Sequence, residues 1–287
     1  MKIRRMLAAD AKNVIGLDVL AFKTYYKNKT ARAEREILSC LALNPSGCFV
    51  AEDKKIIGYV FSRRWGRLGW IGTFGVHPKH HSKGIGKALF AKAYAKLDKE
   101  CDIIGLETMP EAPYNIGLYL KLGFKLIPPS LILAKSGLVP SQKTPALTEA
   151  SPEKISGISR KLLRGIDYGR EAENALEFGW GKAFSIGKTG FCILSVRNSG
   201  KKNFLLVNVM GLPASRKENV LSSLRSLENY ALSKKADRIV IPINSIYQNA
   251  VKSLLTDGYK VRRCSVRMTK KGDYGNFPAI DISRWAM

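Results

Sequence analysis

Adding 135 to the numbers of residues 71–137 lands on a second stretch with the same pattern. This limits the possible folds more than any other feature of the chain. Without a gap, Pro78 falls on Pro213, Leu89 on Leu224, Leu97 on Leu232 and Asp102 on Asp237. Ile104 falls on Ile239, Gly123 on Gly258, Lys125 on Lys260 and Gly137 on Gly272, so Gly123-Phe124-Lys125 becomes Gly258-Tyr259-Lys260. Identity is low, and chance similarity is the alternative. The unbroken register favours duplication. A chain of 287 residues is long enough for two such units, each with its own core.

The first half alternates strand and helix signals. Short strands are expected at Arg4–Leu7, Cys48–Ala51, Ile56–Ser62, Gly69–Val76, Asp102–Thr108, Phe124–Ile127 and Ser130–Lys135. Helices are expected at Ala8–Phe22, Ala31–Leu43, Lys83–Lys99 and Asn115–Leu122, the last stopped by Gly123. Residues 136–152 hold three prolines and little periodicity, and read as a linker. The expected fold class is α/β, with a mixed sheet of α+β character, in two tandem domains. These are residues 1–137 and 153–287, joined by 138–152.

Composition narrows the function classes. The formal net charge is +25, and both halves are basic. A field of that sign attracts polyanions such as phosphate-bearing cofactors or nucleic acid; a solvated basic surface is the plainer alternative. No apolar run is long enough for a membrane span, and the basic N-terminus lacks the apolar core of a signal peptide. A cytoplasmic, non-membrane protein is expected. Cys40, Cys48, Cys101, Cys192 and Cys264 are odd in number and widely spaced, so they read as buried small hydrophobes rather than a disulfide framework.

The chemistry concentrates in residues 73–124. A strand ends near Val76, a basic loop comes next, and Gly84-Ile85-Gly86 opens a helix. Helix N-termini carry free backbone N–H groups and partial positive charge, and glycines allow close backbone approach. Together they suit a pyrophosphate, with Lys83 and Lys87 adding charge. Alone, a Gly-x-Gly is weak evidence. Downstream comes the strand Leu106-Glu107-Thr108, then a short helix carrying Asn115 and Tyr119, then Gly123-Phe124.

Taken together, His81-Ser82-Lys83-Gly84-Ile85-Gly86 and Leu118-Tyr119-Leu120-Lys121-Leu122-Gly123-Phe124 resemble the GCN5-related N-acetyltransferase (GNAT) superfamily. The first matches its Q/R-x-x-G-x-G/A signature and the second its Leu-Tyr-x-x-x-Gly-Phe stretch. The resemblance covers about residues 2–135. It implies acetyl-CoA as cosubstrate and transfer of an acetyl group to an amine by direct attack in a ternary complex. It also implies roles for residues. Backbone groups of Phe74, Gly75 and Val76 would pair with the pantetheine arm. The segment His81, Ser82, Lys83, Gly84, Ile85, Gly86 and Lys87 would hold the pyrophosphate. Asn115 and Tyr119 would contact the cofactor, and Tyr119 would protonate the departing thiolate. A helix tyrosine packed on the sheet is the alternative for Tyr119. His81 stands where the family has Gln or Arg. Ala112 and Asn115 stand where many members have Asn and Ala.

An amine must shed its proton before attacking a thioester, and a carboxylate can take that proton. Many family members carry a Glu on the strand before the loop; here that strand has no acid. Glu107 is the candidate base, with binding of a cationic substrate or capping of the loop as alternatives. His77, His80 and His81 cluster, but no carboxylate or cysteine lies nearby in sequence, and no metal is expected. In the second half the offset puts Arg216 on His81, Asn219 on Gly84, Leu221 on Gly86, Pro242 on Glu107 and Leu254 on Tyr119. That copy is expected to keep the fold without the chemistry, as a cleft wall or a dimer surface. An N-acetyltransferase acting on an unidentified amine leads. Behind it stand a non-catalytic acyl-CoA sensor or scaffold, then a basic nucleic-acid-associated protein. A homodimer is left open.

Overall fold

The computed structural model describes residues 1–26, 32–200, 202–214, 217–275 and 277–285. They divide into two compact units, Met1–Leu106 with Trp285, and Glu107–Arg284. The break in space thus falls well ahead of the expected break at 137/138.

In the first unit, β1 (Lys2–Arg5) leads through a single turn into α1 (Ala11–Tyr26) and α2 (Glu34–Leu43). The antiparallel strands β2 (Phe49–Asp53), β3 (Lys55–Trp65) and β4 (Leu68–Val76) come next, then α3 (Ile85–Asp98) and β5 (Ile103–Thr108). The expected strands and helices are present, shifted by a few residues. Ala31, the expected start of the second helix, lies outside the described residues. Alternation along β3 sorts the two faces. Tyr59 and Phe61 join Val14, Leu17, Ile37 and Cys40 in a core under α1 and α2. On the other face α3 lies close: a Cβ on Gly58 would sit 2.9 Å from Leu89 and 3.2 Å from Ile85.

Two irregularities set β4 apart. It pairs with β3 as Val60↔Phe74 and then Phe61↔Gly72, so Thr73 is the extra residue of a β-bulge. Its parallel register with β5 runs only from Leu68↔Ile103 to Trp70↔Gly105. Beyond Trp70, that edge of β4 has no strand partner among the described residues.

The second unit opens with α4 (Pro113–Lys121), β6 (Lys125–Leu126) and β7 (Ser130–Ser136). Then come β8 (Leu147–Glu149), α5 (Pro152–Leu162), α6 (Gly169–Glu177), β9 (Lys182–Ile186), β10 (Gly190–Ser199) and β11 (Lys202–Pro213). It closes with α7 (Lys217–Ser233), β12 (Ala236–Asn244), α8 (Gln248–Thr256), β13 (Lys260–Lys271) and β14 (Ala279–Ser283). The offset of 135 carries α4 onto α8 residue for residue. The expected linker is not wholly irregular, because β8 lies within it and pairs with β9 through Leu147↔Ile186.

The spatial break departs from the sequence halves because β7 pairs with second-half strands. It runs antiparallel to β12, from Arg238↔Ser136 to Asn244↔Ser130, and antiparallel to β13. Lys135 of β7 is locked there by Glu228 at 3.0 Å and Asp257 at 2.8 Å, and Glu228 is fully buried. A charge buried this deeply is tolerated only when paired, and Lys135 supplies that pairing from β7. The apolar core of this unit draws Leu133 from β7 together with Leu205, Val207, Leu224, Leu227, Ile239, Ile241 and Leu254. Cys40, Cys48, Cys101 and Cys192 are buried as expected, but Cys264 is exposed, because the start of β13 from Lys260 to Cys264 faces solvent.

Candidate functional site

The loop after β4 is built by two left-handed residues. Ser82 has φ 62° and Gly84 φ 75°. Gly84 is the N-cap of α3, and a Cβ there would meet nothing within 4 Å, so its glycine serves conformation and not space. No side chain caps the first turn of α3. Residues 81–84 and Lys87 are exposed, whereas Ile85 is buried and pins the turn to the sheet. The result is an exposed helix N-terminus with uncapped N–H groups and basic side chains around it, a geometry that favours an anion.

Phe74, Gly75 and Val76 lead straight into this loop. Gly75 and Val76 are buried, and all three pair with β3 on one edge. Phe74 stands edge-on to Phe90 of α3, with centroids 6.4 Å apart. A Cβ on Gly86 would lie 3.4 Å from Phe74 and 3.5 Å from Val76, which brings the strand end and the helix start together. Phe74–Val76 and 81–87 therefore form one contiguous surface.

The remaining expected residues belong to the second unit. Asn115 and Tyr119 are one helical turn apart on α4 and share a face. Tyr119 is 6% exposed, and its ring lies 6.1 Å from that of Phe124. Glu107 is not a free carboxylate. Its Oε1 accepts from Ser265 Oγ at 2.6 Å, and its Oε2 accepts from Arg267 Nε at 2.9 Å. Arg267 is 1% exposed and also donates to Tyr274 Oη and to the Ser283 carbonyl. Tyr274, Ser283 and Tyr168 in turn donate to Asp281, whose carboxyl is pushed up by burial.

His77 Nδ1 accepts from the Lys79 amide at 3.2 Å and its ring stands edge-on to His80. Among the described residues no group of three His, Cys, Asp or Glu side chains is arranged to hold a metal ion. No described helix is long and apolar enough to cross a membrane.

A polar cluster with no signature in the sequence lies under the same segment of β4. Tyr59 fills the space at Gly75, where a Cβ would be 2.7 Å from the ring and 3.1 Å from the hydroxyl. That hydroxyl donates to Asp18 Oδ1 of α1. Burial, then the neighbouring carboxylate, hold Tyr59 well above the usual phenol range, so it stays a donor. Arg32 donates to the same oxygen at 2.6 Å and reaches Thr73, the bulged residue, at 3.5 Å. Asp18 sits in a helical run and looks like one polar residue among many. Only the fold brings it beneath β4.

Residues 16–124 match the Acetyltransferase (GNAT) family. A putative acetyltransferase from Pyrococcus horikoshii superposes with a TM-score of 0.75 at 17% identity, covering 99% of this chain and 95% of that one. A tandem GNAT protein from the clavulanic acid biosynthesis pathway gives 0.60 at 14% identity, with 96% and 99% covered. A GCN5-related N-acetyltransferase from Sphaerobacter thermophilus gives 0.56 at 12% identity, with 100% and 98% covered. No curated protein is similar enough to match. These structural likenesses establish the fold.

Proposed function

We propose, taking the GNAT acetyltransferase domain of residues 16–124 as the premise, that this protein transfers an acetyl group from acetyl-CoA to an amine. The observation that carries the reading is the uncapped, exposed start of α3 behind left-handed Gly84, next to a strand whose outer edge is open beyond Trp70. Amides of residues 81–87 hold the diphosphate, with Lys83 and Lys87 screening its charge. Amides and carbonyls of Phe74, Gly75 and Val76 align the pantetheine arm by strand-like pairing. The bound thioester supplies the activated acyl group. Alignment of the reactants gives much of the rate. Tyr119 gives its proton to the leaving sulfur, and Asn115, a turn earlier on α4, contacts the cofactor.

Two GNAT-like halves, 1–137 and 153–287, make up the chain in this reading, with the chemistry in the first. The reaction belongs to the cytoplasm, where acetyl-CoA is available. Glu107 as the base would have to accept a proton while paired to buried Arg267. That commitment favours a second reading, a CoA-binding sensor without turnover. Titration calorimetry with coenzyme A and thiol release from acetyl-CoA against an amine panel separate the two. Transfer predicts binding with turnover, and Tyr119→Phe then lowers kcat by roughly 100-fold or more with CoA affinity kept. Binding without turnover selects the sensor. No binding overturns both.

A further inference from the structure

We infer that Asp18, held by Tyr59, is the anchor for the ammonium group of the acceptor. The inference rests on the acetyl-transfer reading and names a residue that holds its acceptor. β4 carries no acidic side chain, yet an anion is present beneath it. Asp18 is 0% exposed, and its hydrogen bonds are uneven. Oδ1 takes both Tyr59 and Arg32, whereas Oδ2 is buried with no hydrogen-bond partner among the described residues. A carboxylate oxygen buried without a donor is costly, and a donor brought by a ligand would relieve that cost.

The location gives that use. Tyr59 lies against Gly75, and Arg32 reaches Thr73, so the two donors on Asp18 flank the β4 segment that leads into the loop. Replacing Gly75 by any other residue would drive a side chain into Tyr59. The site already accepts a cation, because the Arg32 guanidinium sits on it. Arg32 keeps 15% side-chain exposure against 1% for Asp18, so the guanidinium is the outer member of the pair. It also lies over the Phe22 ring at 5.3 Å, a second resting place for its charge. An ammonium entering beside Arg32 donates to Oδ2, completes the carboxylate and gives that oxygen one proton, which leaves the nitrogen neutral for attack on the thioester. A neutral acceptor gains nothing there.

The full-length protein loaded with coenzyme A tests this. The probes are n-butylamine, Nα-acetyl-lysine amide and a tripeptide with a free N-terminus, with n-pentanol as the neutral control. Ligand-observed NMR on the wild type is expected to show at least one amine binding and n-pentanol not binding. In Asp18→Asn, KM or Kd for that amine is expected to rise at least 30-fold, with CoA affinity unchanged within threefold. Tyr59→Phe, which keeps the charge, is expected to raise it less than tenfold, and it stands in if Asp18→Asn does not fold. No amine binding to the CoA-loaded wild type, or equal amine affinity in Asp18→Asn, would overturn the inference. Failure to bind coenzyme A would instead sink the acetyl-transfer reading.

Discussion

α4 and α8 end alike, while α3 and α7 begin differently. Leu122 N donates to Leu118 O at 3.0 Å, and Asp257 N to Ser253 O at 3.0 Å. Phe124 N donates to Tyr119 O at 3.0 Å, and Tyr259 N to Leu254 O at 3.1 Å. Gly123 and Gly258 adopt the same left-handed turn, at φ 85° and 91°. Ile85 at the start of α3 maps onto Val220, yet α7 already begins at Lys217. In the second half, residues matching Ser82–Gly84 are wound into helix where the first half opens a loop. Helix ends that only have to be satisfied stay fixed across the halves. Among the described residues, the helix start behind left-handed Ser82 and Gly84 belongs to the first half.

The largest expected effect tests the likeness. Tyr119 and Leu254 occupy the same position, but Leu254 is fully buried in an apolar core. Leu254→Ala should cost about 2–5 kcal/mol in denaturant unfolding through the cavity it leaves. Tyr119→Phe, which keeps the ring, should cost no more than about 1 kcal/mol. Equal losses at the two positions would remove the distinction between a packing residue and a chemical one.

The next prediction tests the difference. Gly84→Val forces a β-branched residue to φ 75°, with about 1–3 kcal/mol of strain. Calorimetry should show coenzyme A affinity falling about 10- to 100-fold. Asn219→Ala, at the matching point of the second half, should leave that affinity unchanged. Loss of affinity in both variants would mean that the second half also binds the cofactor.

Much of this was legible in the sequence, because it is local. Gly123 and Gly258 announce helix ends by composition, and Gly84-Ile85-Gly86 announces a helix start after a strand. The hydrogen-bond partners of Glu107 and Asp18 were not legible, because they are far away in sequence. Ser265 and Arg267 meet Glu107 across 158 and 160 residues of sequence, and no periodicity encodes a contact between strands of different halves. The same exchange hid the spatial boundary at Leu106, since Ser130–Ser136 reads as the closing strand of its own half. Tyr59 shows the limit from the other side. The strand expected at Ile56–Ser62 contains it, but nothing local says that its hydroxyl meets a carboxylate.

The smallest effect concerns how the first helical turn of each half is capped, one by a charge and one by a neutral side chain. Asp10 accepts from Leu7 N at 2.8 Å and is held by Arg4 at 2.7 and 2.9 Å. The Arg4 hydrogen bonds hold its carboxyl below the usual carboxylate range. α5 is capped by Ser151, whose Oγ accepts from Lys154 N at 3.3 Å. A lowered carboxyl pKa adds stability that is full above the unfolded value and is lost as pH falls through the folded one. Asp10→Asn should therefore cost about 1–2 kcal/mol near pH 7, and the cost should fade below about pH 4. Ser151→Ala should cost about 1 kcal/mol with no such fading. Denaturant melts of both variants from pH 7 down to pH 3 separate the cases. If the Asp10→Asn penalty stayed constant across that range, its contribution would be packing or hydrogen bonding of the neutral form, and the two caps would be physically alike.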